Sequence, residues 1–125
     1  MKDEDFFRAF NRGERLEGGI RTAVEAWCAN RDAAKDQYGP IASWNTSEIT
    51  NMYGLFSGKA GFDEDISRWD VSKVTNMTYM FYCATSFDQQ LGGVWARSTA
   101  DRFCMFLQCP GSIQGKTNDG VGTPV

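Results

Sequence analysis

Residues 49–56 read "ITNMYGLF" and residues 74–81 read "VTNMTYMF". Each begins with a branched apolar residue, continues Thr-Asn-Met and ends on an apolar pair. Matched positions are separated by 25 throughout: Ile41 and Ile66, Trp44 and Trp69, Met52 and Met77, Phe56 and Phe81. No insertion interrupts that register. A fixed period between 20 and 50 residues is the signature of repeat architectures, in which each unit buries its apolar side against the next.

A third copy follows in weakened form. Phe62 and Phe87, Ile66 and Leu91, Met80 and Met105, and Phe81 and Phe106 keep the spacing of 25. Between them "WDVSKVTNM" is replaced by "VWARSTADR", so Val74 becomes Thr99, Asn76 becomes Asp101 and Met77 becomes Arg102. A terminal unit needs a polar outer side, because no neighbour covers it. Residues 87–111 are therefore expected to be a degenerate capping repeat. The whole chain divides into a polar segment 1–19, a capping helix 20–37, an array 38–111 made of units 38–61, 62–86 and 87–111, and a polar, Gly-rich tail 112–125.

The helix is predicted from Ile20, Ala23, Val24, Trp27, Cys28 and Ala34, which lie on one face at helical spacing. "YGPI" at 38–41 ends it, since Gly and Pro together oppose continuation. Inside each unit, "EDISRWDVS" and "KVTNM" read as short extended segments and "TYMFYCATSF" as a tight helical turn. Successive units would then pair as parallel strands at the usual strand spacing of roughly 4.8 Å. The expected core is Met52, Phe56, Phe62, Ile66, Trp69, Val74, Met77, Met80 and Phe81. Thr50 with Thr75 and Asn51 with Asn76 would form side-chain ladders that satisfy backbone groups at the bends. A ligand-facing array is the alternative, although two rungs make a poor one.

Composition narrows the function. The 125 residues carry 13 Lys and Arg against 16 Asp and Glu, interspersed with no basic stripe, so nucleic acid is not an expected partner. No apolar run is long enough to span a membrane. The opening "MKDEDFFRAF" is acidic where an export signal would be basic, so no signal peptide is expected and the sequence by itself reads as cytoplasmic. There is no histidine, which removes the commonest general base and metal ligand. Cys28, Cys83, Cys104 and Cys109 lack the paired spacing of zinc sites. Asp63, Glu64 and Asp65 alternate faces if extended and cannot converge on one metal, leaving at most a weak calcium site shared with Asp88. Neither an enzyme nor a cofactor is expected. Of the cysteines, Cys109 falls above Ala84 in the register, beside Cys83. A single bridge, Cys83–Cys109, is thus possible in an oxidising compartment.

"FDEDISRWDVSKVTNMTYMF" resembles the repeat unit of BspA-like leucine-rich-repeat surface proteins, a subtype also described as a mycoplasma-type repeat of unknown function and common in microalgae and some bacteria. Phe62, Asp65, Ile66, Ser67, Trp69, Asp70, Val71, Ser72, Val74, Thr75, Asn76, Met77, Met80 and Phe81 match its pattern. The resemblance extends over about residues 20–117. It implies an α/β repeat fold, a short right-handed leucine-rich-repeat solenoid of 25-residue coils with an N-terminal helical cap. It also implies a non-catalytic scaffold for protein–protein interaction or adhesion at the cell surface, with a cell-surface or matrix component as partner. The alternatives are a structural or truncated piece of a longer surface array, or ice or carbohydrate binding through the Thr and Asn ladders.

Overall fold

The computed structural model describes residues 16–116. The expectations for residues 1–15 and 117–125 lie outside that range. The chain starts with helix α1 (Leu16–Ala29) and helix α2 (Arg31–Tyr38), which pack on each other. The single helix expected over 20–37 is thus two. Asn30 breaks it by adopting an extended conformation and accepting from the Ala33 N–H through its side chain, as an N-cap does. Gly39, at φ 83°, ends α2 and turns the chain into a 3₁₀ turn, Ile41–Ser43.

Beyond that turn, residues 44–89 contain no helix or ladder strand. Regular structure returns as strand β1 (Gln90–Leu91), the short helix α3 (Val94–Arg97) and strand β2 (Ser112–Ile113). The two strands form one parallel pair, Gln90 with Ser112 and Leu91 with Ile113. The expected leucine-rich-repeat solenoid is therefore corrected: among the described residues the chain is three α-helices and one two-stranded parallel sheet, and the copies build no continuous sheet.

The physical reasons are local. Tyr79, Cys83, Cys104 and Gln108 have positive φ (55–62°), and so do Gly54 and Gly58 in the matching places of the first copy. Left-handed residues at every fourth position prevent a run of extended backbone. Asp65 and Asp70 add to this by accepting from the N–H groups of Ser67 and Ser72, two residues on. Such side-chain turns compete with strand pairing. Two isolated parallel bridges, Asn51 with Asn76 and Asn76 with Asp101, remain beside a row of backbone hydrogen bonds between the copies. The register also changes, from 25 at those bridges to 22 between Gln90 and Ser112.

The side-by-side copies bury one common core. Met52, Phe56, Phe62, Ile66, Trp69, Val74, Met77, Met80 and Phe81 are all buried. The rings of Phe56, Phe81 and Phe106 stack at 5.4 Å and 5.4 Å, while Phe62 faces Phe87 at 5.8 Å. Trp95, 26 residues after Trp69 and so off the strict register, is fully buried as well. The helices are tied to the first copy by the edge-on contact of Trp27 with Trp44 and the ion pair Lys59–Glu25, and to the start of the second by the pair Arg31–Glu64. Between those pairs lies an open polar groove.

Candidate interaction face

The alternation that buries Met52, Leu55 and Phe56 and their counterparts sends the intervening side chains outward. Tyr53 and Phe103, both 48% exposed, occupy one column of the repeat and Leu107, 45% exposed, another. Tyr79 and Tyr82 are half-buried beside them. Tyr79 is the hub, with ring centroids 5.9 Å from Tyr53, 5.5 Å from Tyr82 and 6.0 Å from Phe103, each in an edge-on arrangement. Contiguous exposed rings of this kind mark interaction sites more often than scattered ones do, because each buries a large apolar area at little entropic cost.

Backbone strain helps to hold this face. Tyr79 sits at φ 57°, a conformation that costs an L-residue about 1–2 kcal/mol. Interaction with the neighbouring Cys104 side chain holds the Tyr79 phenol above its ordinary value, and Cys83 raises Tyr82 in the same way.

The four cysteines are free thiols in this structure. The Cys109 thiol donates to the Phe87 carbonyl and accepts from the Gly111 N–H, both at 3.4 Å. Burial pushes Cys28 and Cys109 up, which opposes thiolate chemistry at either. Asp63, Glu64 and Asp65 are engaged separately. Asp63 accepts from the Asp88 N–H and the Gln89 amide, Glu64 pairs with Arg31, and Asp65 accepts from Ser67. Among the described residues no three Asp, Glu, Cys or His side chains group as a metal site would need. No described helix is long and apolar enough to cross a membrane.

Of the ladder residues, Thr50 and Thr75 are exposed, whereas Asn51 and Asn76 are half-buried. Their amide oxygens are already used. Asn51 accepts from the Tyr53 N–H, and Asn76 from the N–H and hydroxyl of Thr78. Asp101 repeats the bond to Phe103 in the third copy. The aromatic face itself was not singled out in the sequence. The signal was available, since Tyr53, Tyr79, Tyr82 and Phe103 are aromatic residues in columns that the core does not use.

Period, turn-bound copies and an outward aromatic face define a small repeat protein. The chain belongs to the family described as "Mycoplasma protein of unknown function, DUF285", whose model matches residues 24–118. That match covers the array and most of the helical segment, and carries no leucine-rich-repeat, surface or adhesion assignment. No curated protein and no solved structure matches the chain.

Proposed function

We propose that this chain is a non-catalytic binding module and that its partner is a protein docking on the face centred on Tyr79. The observation that carries this reading is the cluster Tyr53–Tyr79–Phe103, three rings from three successive copies in contact and open to solvent. A partner covering them removes apolar surface from water without displacing a charge, and the tyrosine hydroxyls remain to fix orientation. Binding of ice or carbohydrate through the Thr and Asn ladders has less support. The Asn oxygens are consumed within the fold, and the third rung of the Thr ladder is Ala100.

The test places a photo-crosslinking phenylalanine derivative at position 53 or 103, with the exposed Ser72 position as control. A discrete protein should be captured from the first two positions and not from the control. Tyr79→Gly, which removes the ring and suits the positive φ, should abolish that capture. Equal capture at all three positions, or capture unchanged by Tyr79→Gly, would refute the reading.

A further inference from the structure

In four successive columns the bonds between copies run in one sense; only the N–H groups of Thr75 and Asp101, donating to the carbonyls of Thr50 and Thr75, run the other way. The N–H groups of Met52, Gly54, Phe56 and Gly58 donate to the carbonyls of Asn76, Thr78, Met80 and Tyr82, at 2.7–2.9 Å. In the same columns, Met77, Tyr79, Phe81 and Cys83 donate to Asp101, Phe103, Met105 and Leu107, at 2.6–3.0 Å. Alternate peptide units of the middle copy therefore point their carbonyls at the first copy and their N–H groups at the third. Aligned peptide dipoles add, as they do along a helix. In these four columns one outer edge consequently presents N–H groups, and the other presents carbonyls.

Neither edge is used up. Among the described residues, the N–H groups of Cys104, Phe106 and Gln108 donate to no acceptor, and the carbonyls of Asn51, Tyr53, Leu55 and Ser57 accept from no donor. Donors and acceptors sit in the same columns, 25 residues per step, so their spacing matches. The helices are anchored to the first copy through Trp44 and Lys59, and to the second through Glu64.

We infer that the third-copy edge of one molecule docks on the first-copy edge of a second copy of this chain, N–H row to carbonyl row. A two-fold arrangement would set donors against donors, so the contact must be head to tail. A head-to-tail contact whose rotation does not close generates an open chain of molecules. This edge interface borders the aromatic face at Tyr53 and Phe103, and the two proposals are distinguished by what is captured there, a second copy of this chain or a different protein.

An engineered cross-link tests it. Gly54 and Cys104 share a column, at φ 59° and 55°, so cysteine is already tolerated in that conformation. In Gly54→Cys, docking brings position 54 of one molecule to about 4.8 Å, strand spacing, from Cys104 of the next. That separation lies within the disulfide range of roughly 4.4–6.8 Å. Mild oxidation should give dimers, trimers and larger species linked between position 54 and Cys104, and adding Cys104→Ser should abolish them. In the unmodified chain, the sedimentation mass should rise with concentration while the amides of Cys104, Phe106 and Gln108 become protected from exchange. Those two readouts stand even if the variant does not fold. A monomer at every concentration, growth that stops at a dimer, or protection elsewhere would overturn the inference.

Discussion

The indole N–H of Trp69 donates to the carbonyl of Ile41 at 2.8 Å, inside the core and 28 residues back along the chain. Trp95 makes the same bond to Ile66, the counterpart of Ile41, at 3.2 Å. Each large ring therefore fills the space beside the preceding copy while its one polar atom is satisfied there. That satisfaction matters, because an unpaired buried N–H would cost about 1–3 kcal/mol.

Trp69→Ala should consequently destabilise the protein by about 3–5 kcal/mol, since it opens a large cavity and removes one of the two donors to the Ile41 carbonyl, leaving the Trp44 N–H. Chemical denaturation measures it. A loss below 1 kcal/mol would mean that the site collapses around the missing ring.

Removing a side-chain turn should cost less. Asn76→Ala deletes two bonds, to the Thr78 N–H and hydroxyl, and should lower stability by about 1–2 kcal/mol. Asn76→Asp should retain most of it, because Asp101 fills the same column in the third copy with the same bond. Equal losses in both variants would show that the bond to Thr78 is not what the position supplies.

Relieving a left-handed residue should act in the opposite direction. Gln108 is exposed and sits at φ 62°. Gln108→Gly should stabilise the protein by up to about 1 kcal/mol, the strain removed less the extra freedom that glycine has when unfolded. Gly58 already occupies that column in the first copy. A lowered melting temperature would count against the strain argument.

Acid sensitivity follows from Asp65 and Asp70. Hydrogen bonds from the hydroxyls and N–H groups of Ser67 and Ser72 hold both carboxyls below their ordinary value. A depressed folded value stabilises the protein above the unfolded value of about 4, and that stabilisation is lost as the pH falls through the folded one. Urea midpoints should therefore drop below about pH 4, and drop less in the double variant Asp65→Asn with Asp70→Asn. Both residues are largely exposed, so screening keeps the effect small.

Much was legible in the sequence because burial follows the period. Once Ile49 and Val74, or Phe56 and Phe81, are seen to share a column, hydrophobicity alone says which columns face inward. The helical segment was legible for the same reason, from the spacing of Ile20, Ala23, Val24 and Trp27. The backbone path was not. β-Branched residues in "KVTNM" suggested strands, but the torsions at Tyr79 and Cys83 and the turns at Asp65, Asp70 and Asn76 override that propensity. A positive φ at a tyrosine or cysteine has no sequence signature, because it is imposed by neighbouring copies and by the bonds that join them. For the same reason only the tertiary structure decided where Tyr53, Tyr79 and Phe103 meet, and where Asn30 divides the helix. Periodicity records which residues leave water, since that free energy is nearly local and additive. The direction of the chain between them depends on hydrogen bonds formed with residues 25 positions away, which no single stretch encodes.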